Sequence, residues 1–136
     1  MAAFRLRVVT PDRVVYDGDV TFLMVRTTSG DIGIMAHHAS YTAPLAISTM
    51  KVEFASREDA RFAAIGGGFL KVGDNVATVV TNTCEWQDEI DLSRAEQAAE
   101  RARAALESAA SKSDMDRAEV KLKLALNRIN VASSTR

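Results

Sequence analysis

The fold of this chain is decided by the stretch Asp88-Glu89-Ile90-Asp91-Leu92-Ser93-Arg94-Ala95. Before it, apolar and polar residues alternate and glycines recur. After it there is no glycine and no proline, and alanine and leucine recur at steps of three and four. Alternation is typical of half-buried strands, and steps of three and four are typical of one helix face. The stretch therefore marks the joint between a β-rich body and a helical tail, and Asp91 is the predicted N-cap of the first helix.

The body, residues 1–87, is predicted to form a β-sandwich or flattened barrel. Alternating segments such as residues 4–8 and 50–55 are separated by turn signals at about ten-residue spacing. The run Gly66-Gly67-Gly68 predicts a bulge. It does not fit a phosphate-binding loop, because a strand follows it and no Lys-Ser/Thr pair does.

The tail, residues 88–136, is predicted to form an antiparallel hairpin of two amphipathic helices, so the chain as a whole belongs to the α+β class. Small polar residues at positions 108–113 separate the helices, and Asp114 is the predicted N-cap of the second. Alanines bury little apolar area, at about 25 cal/mol per Å², so an alanine-rich seam is expected to open readily and to act as a switch. The predicted seam consists of Ala95, Ala98, Ala102, Ala105 and Ala109 with Met115, Ala118, Leu122, Ala125 and Ile129.

Charge and cysteine content narrow the possible functions. A net charge of −1 over 136 residues argues against a general affinity for nucleic acid or anionic membrane. The single cysteine, Cys84, excludes an intramolecular disulfide framework and a multi-cysteine metal site. No apolar run approaches the ~20 residues that span a bilayer, and the first residues lack a signal-peptide core. We therefore expect a soluble, cytosolic protein.

No constellation of residues in the sequence supports catalysis. His37 and His38 lie in a predicted loop over residues 37–44, without Cys, Asp or Glu at metal-ligand spacing. Ser, His and Asp occur without a Gly-x-Ser-x-Gly context. We expect a non-catalytic protein without a metal site, and a hydrolase is the weakest hypothesis.

Charges on the helical tail carry a binding hypothesis. Asp91, Arg94 and Arg101 lie at offsets of three and seven and share a helix face. Arg128 projects from the second helix, where antiparallel packing returns it towards the joint. Arginines around a helix N-terminus can hold phosphate groups. On spacing alone, the pattern is more typical of a solvated face with i,i+3 and i,i+4 ion pairs.

Five segments, in order, carry a resemblance that spans nearly the whole chain. On these segments the chain resembles the epsilon subunit of bacterial F-type ATP synthases, which is called delta in mitochondria. The segments are VTPDRVVYDG (9–18), GDIGIM (30–35, followed by His38-Ala39), GGFLKV (67–72), IDLSRA (90–95) and NRINVA (127–132).

The resemblance implies a non-catalytic subunit of the rotor, or central stalk. Its sandwich would bind the gamma subunit and the membrane-embedded c-ring, without inserting into the membrane. Its hairpin would either fold against the sandwich or extend along gamma into the alpha/beta catalytic head, where it inhibits ATP hydrolysis. The implied location is peripheral, at the cytoplasmic face of the bacterial cell membrane. A stand-alone ATP-sensing binding module is the alternative function.

The resemblance also implies a regulatory ATP site, with or without Mg²⁺, although no cofactor is required. In some bacterial members ATP binds the folded hairpin through an Ile/Leu-Asp-x-x-Arg-Ala motif and further arginines. Two departures stand out. Leu124 takes the place of an arginine, which lowers the expected affinity, and Ala36-His37-His38 replaces Pro-Gly-His, which changes a local turn. The implied site residues are Glu85, Ile90, Asp91, Arg94, Ala95, Arg101 and Arg128.

Overall fold

The computed structural model of the chain describes residues 2–134. It contains two compact units, of which the first ends at Trp86 and the second begins at Gln87. Strands make up the first unit and helices make up the second. The predicted α+β class, a β-sandwich followed by two helices, is thereby confirmed.

The first unit is an eight-stranded sheet folded into a sandwich. Its strand order is β2-β1-β7-β6-β5-β3-β4, with β8 paired to β6. β1 and β7 are parallel, and the other pairs are antiparallel. Within the described residues the strands are β1 (Phe4–Val9), β2 (Val14–Val20), β3 (Phe22–Thr27), β4 (Gly30–Ile34), β5 (Tyr41–Glu53), β6 (Arg61–Gly73), β7 (Val76–Val80) and β8 (Cys84–Trp86).

Alternation in the sequence places one face of each strand in the core. In β1, Phe4, Leu6 and Val8 are buried while Arg5 and Arg7 are exposed. Successive side chains of a strand point to opposite faces, so this pattern directs the apolar set inwards. The largest fully buried side chains of the first unit include Leu6, Leu23, Ile34, Met50, Ile65 and Leu70.

The three glycines divide β6 between two neighbours. Residues 63–65 pair with β8 and residues 69–73 pair with β7. The register with β5 is the same on both sides of the glycines, so no residue is inserted, and the predicted bulge is wrong. Gly67 and Gly68 instead adopt φ values of 84° and 119°. These positive φ values allow the strand to bend while its register is kept.

Strand β5 begins at Tyr41 and includes Pro44, so the predicted loop over residues 37–44 is too long. The carbonyl of Pro44 accepts a hydrogen bond from the Thr28 amide at 3.2 Å, beyond the end of β3. The nitrogen and the carbonyl of one strand residue face the same neighbouring strand, so the nitrogen of Pro44, which has no hydrogen to donate, also faces the β3 side. The regular ladder with β3 is interrupted there, which is why a proline is tolerated.

Asn75 ties three separate segments of the first unit together. Its Oδ1 accepts a hydrogen bond from the His37 amide at 2.7 Å, and its Nδ2 donates to the Ala3 carbonyl at 3.1 Å. His37 and Asn75 both have positive φ, 64° and 61°. His37 is thus a turn residue held through its backbone. Among the described residues no group of three or more His, Cys, Asp or Glu side chains could hold a metal ion.

The second unit contains helices α1 (Leu92–Glu107) and α2 (Lys112–Ser133), preceded by a short 3-10 turn at Gln87–Glu89. Asp91 caps α1 as predicted, since its carboxylate accepts the Arg94 amide at 3.1 Å. The predicted cap of α2 is wrong. Ser111 is the N-cap and accepts the amide of Asp114 at 3.1 Å. Asp114 lies in the first turn, where its charge suits the positive end of the helix dipole.

Alanines form most of the seam between α1 and α2, as predicted, but with a shift in position. Ala99 is buried in place of Ala98, and Met115 is 44% exposed. At the C-terminal end of α2, Gln87 Nε2 donates hydrogen bonds to the carbonyls of Val131 at 2.9 Å and Ser134 at 2.7 Å. This pair of bonds satisfies carbonyls that the last turn of a helix leaves open. The buried residues are Ala95, Ala99, Ala102, Ala118, Ala125 and Val131.

Candidate functional site

The second unit contains a cavity between α1 and α2. Its volume is about 500 Å³, within the range of small-molecule pockets. Alanine side chains end at Cβ, so four alanines on the facing surfaces leave room that larger residues would fill. The lining residues are Ala98, Arg101, Ala102, Ala105, Lys121, Leu124, Ala125 and Arg128.

The cavity is positively charged. Arg101 from α1 and Lys121 and Arg128 from α2 contribute cations, and none of the described residues that line it is acidic. Arg101 and Lys121 are exposed, whereas Arg128 is half-buried and its Nε is fully buried. Guanidinium and ammonium groups with an apolar wall suit a ligand that carries phosphate or carboxylate groups.

The motif residues predicted from Ile90 to Ala95 lie at the start of α1 and not in the cavity lining. Asp91 caps the helix through its side chain, and its carbonyl accepts the Ala95 amide at 3.0 Å. Ala95 is buried in the seam, Ile90 is half-buried and Arg94 is exposed. Of these four residues, Asp91 therefore has a structural role as the helix cap and Ala95 has one in the helix seam.

The remaining predicted residues fall in two places. Arg101 and Arg128 line one cavity, so the structure brings them together across the two helices. Glu85 belongs to β8 in the first unit, where it is half-buried and pairs with Ala64 of β6.

Sequence reasoning missed Lys121, although a signal for it was present. Lys121, Leu124 and Arg128 are separated by three and four residues and therefore share one face of α2. Counting back from Arg128 in steps of four and three residues along the same face of α2 leads to Lys121. Matching only arginine positions did not.

A second feature lies on the outer face of the sandwich. Residues from β5, β6, β7, β1 and β2 are cross-strand partners of one another and form one row, here called the apolar row. Phe69, Val80 and Val14 in this row are 59%, 47% and 55% exposed. Contiguous exposed apolar surface marks interaction sites. The row consists of Pro44, Phe69, Val80, Val9 and Val14, and the neighbouring row is polar, with Thr42, Lys71, Thr78, Arg7 and Asp17.

Within residues 2–134, no helix has the length and apolar character needed to cross a membrane.

Two family models match the chain, one for each unit. Residues 3–87 match the "ATP synthase, Delta/Epsilon chain, beta-sandwich domain". Residues 88–133 match the "ATP synthase, Delta/Epsilon chain, long alpha-helix domain". The two matches follow one another without a gap.

Curated proteins of similar sequence are bacterial ATP synthase epsilon chains. The chain is 45% identical over 136 residues to that of Ruminococcus albus, covering 98% of each sequence. It is 43% identical over 129 residues to that of Pediococcus pentosaceus, covering 92% of this chain and 91% of the other.

Solved structures agree with the fold. A chain of the mitochondrial ATP synthase of Euglena gracilis, in a structure of its OSCP, F1 and c-ring parts, superposes with a TM-score of 0.78 at 25% identity, covering 93% of this chain and 79% of that chain. A chain from the central stalk and c-ring of the Tetrahymena thermophila mitochondrial ATP synthase gives a TM-score of 0.64 at 14% identity, covering 95% and 96%, and supports the fold alone.

Proposed function

The chain belongs to the ATP synthase delta/epsilon family, and we propose that its sandwich holds it on the rotor while its helical unit regulates ATP hydrolysis. As a family member it is a non-catalytic subunit of the central stalk, with the gamma subunit and the c-ring as partners. One observation carries this function. The sandwich and helical domains of the family match in order over residues 3–133.

We propose that the apolar row contacts the gamma subunit. Phe69 is at 59% exposure the largest side chain of the row, and it lies between Pro44 and Val80 on the neighbouring strands. Aromatic side chains are enriched in the buried centres of interfaces, where a few desolvated residues contribute most of the binding energy. The polar row beside it gives the rim that such an interface has.

Phe69→Glu is expected to weaken binding of the subunit to the rest of the complex by at least about tenfold, because a carboxylate would be desolvated in an apolar contact. The measurement is retention of the subunit after purification of the reconstituted complex. Met24→Glu is the matched control, since Met24 lies outside the row on β3 and is 37% exposed. Equal retention of the Phe69→Glu and Met24→Glu subunits would rule out this contact.

We further propose a peripheral position at the cytoplasmic face of a bacterial cell membrane, reached through the complex. The similarity to bacterial epsilon chains supports this proposal.

The helical unit is proposed to be the mobile, inhibitory part. Of the six buried residues in α1 and α2, five are alanines, and each contributes little apolar area at about 25 cal/mol per Å². A seam of this kind can open at modest cost, so a folded and an extended form can both be populated. In the extended form the helices are proposed to enter the alpha/beta catalytic head and stop ATP hydrolysis.

Regulatory ATP, with or without Mg²⁺, is proposed to bind the folded hairpin. Arg101 on α1 and Arg128 on α2 line the same cavity, so a bound polyphosphate would link the two helices. A ligand that binds only the folded form shifts the population towards it. Ile90, Asp91, Arg94 and Ala95, at the start of α1 and outside the lining of that cavity, are the other proposed ATP-binding residues of the helical unit. Because the chain belongs to the delta/epsilon family, the proposed ATP sensing is assigned to a subunit of the complex in preference to a stand-alone module.

The isolated chain with Asp91→Ala and Arg94→Ala is expected to show no heat of ATP binding by calorimetry. Arg94 would supply charge-assisted hydrogen bonds, and Asp91 also orders the start of α1. Asp91→Ser with Arg94→Ala separates these effects, because serine keeps the cap. If the unmodified chain gives no heat with millimolar ATP, the regulatory site is wrong.

A further inference from the structure

We propose that Lys121 is the third phosphate-binding cation of the cavity between α1 and α2, beside Arg101 and Arg128. The inference rests on the proposed regulatory ATP site and identifies a further residue that binds the polyphosphate. Lys121 lines the same cavity as the two arginines.

The face of α2 that lines the cavity carries two cations with an apolar residue between them. Lys121, Leu124 and Arg128 all line it, at spacings of three and four residues. Leu124 offers no hydrogen-bond donor. Lys121, one turn earlier on the same face, brings a positive charge to the wall that Leu124 leaves apolar.

The surroundings of Lys121 allow its ammonium group to move. The facing wall of the cavity carries Ala98 and Ala105, which leave space around a long side chain. Lys121 also borders a second cavity of about 300 Å³, where Asp114 and Arg117 are neighbours. A point charge on a flexible four-carbon stem can move towards a phosphate without any shift of the helix.

The three cations come from both helices, and this connects binding to the state of the hairpin. Arg101 belongs to α1, whereas Lys121 and Arg128 belong to α2. A polyphosphate held by all three bridges the alanine seam from both sides. Lys121 therefore contributes to the preference of the ligand for the folded hairpin as well as to affinity.

The test is calorimetry of the full-length chain with ATP over a range of salt concentrations. Lys121→Gln is expected to weaken ATP binding roughly tenfold or more, because a hydrogen bond to a charged group is lost. It is also expected to reduce the dependence of affinity on salt, because one ion pair is removed. Lys123→Gln is the matched control, since Lys123 is exposed and does not line the cavity. Adding Leu124→Arg to Lys121→Gln is expected to restore binding.

The outcomes separate this inference from the proposed site. If the unmodified chain binds ATP and Lys121→Gln binds it equally well, Lys121 is not a ligand and the regulatory site stands without it. If affinity falls with no change in salt dependence and no rescue by Leu124→Arg, Lys121 acts through helix structure and the inference is wrong. If the unmodified chain does not bind ATP, the regulatory site and this inference fail together.

Discussion

Gly68→Ala is expected to destabilise the sandwich by about 3 kcal/mol or more, among the largest effects of a single added methyl group. A Cβ at this position would lie 1.9 Å from the Val80 carbonyl oxygen and 2.8 Å from Thr81 Cα. Both atoms are backbone, so they can move only if the end of β7 and the residue after it separate from β6. The φ of 119° adds conformational strain for any residue with a side chain. Urea denaturation of the isolated chain measures the loss.

Gly30→Ala is the matched control for this prediction. Gly30 has a similar φ of 132°, but a Cβ there would meet nothing within 4 Å. Gly30→Ala therefore costs only the strain of a φ that side chains rarely adopt, about 1–3 kcal/mol. The difference between the two variants isolates the close backbone approach at Gly68. Equal destabilisation would show that the approach is not a constraint.

Much of the fold could be predicted because its signals are local. Alternation in β1 and the cap at Asp91 depend on residues close in sequence, and both are present in the structure. The errors arose where neighbours compete or where tertiary contacts decide. Ser111 and Asp114 are both good caps, and the choice between them depends on where the first helical turn closes. Pro44 is tolerated in a strand because of the point at which its pairing with β3 is interrupted.

The candidate site was only partly predictable for the same reason. Helical periodicity was enough to expect Arg101 and Arg128 on facing surfaces. Lys121 could be identified only from the residues that line the cavity, because spacing alone also allows a solvated lysine. The apolar row could be recognised only from the register of five strands. Alternation indicates which face a residue is on but not which residue lies beside it.

Removal of residues 90–136 is expected to raise ATP hydrolysis by the complex several-fold while assembly and proton coupling persist. The first unit has a core of its own, since the members of its buried cluster lie between Phe4 and Trp86. The apolar row also lies within this unit, between Val9 and Val80. The truncated chain therefore keeps its folding core and its proposed contact with gamma, and loses only the inhibitory helices.

Two properties of the truncated complex need to be checked together. Retention of the shortened subunit shows that the sandwich binds without the helices. ATP-driven proton pumping shows that the rotor remains coupled. A complex that loses the subunit altogether would report on assembly instead of inhibition, so hydrolysis is compared only in preparations that retain it.

The most direct test of the regulatory role is the rate of ATP hydrolysis by the complex, reconstituted with the full chain or with residues 1–89. We expect several-fold faster hydrolysis with residues 1–89, at equal subunit content and with pumping retained. Equal hydrolysis rates in the two preparations would contradict an inhibitory role for the helical unit.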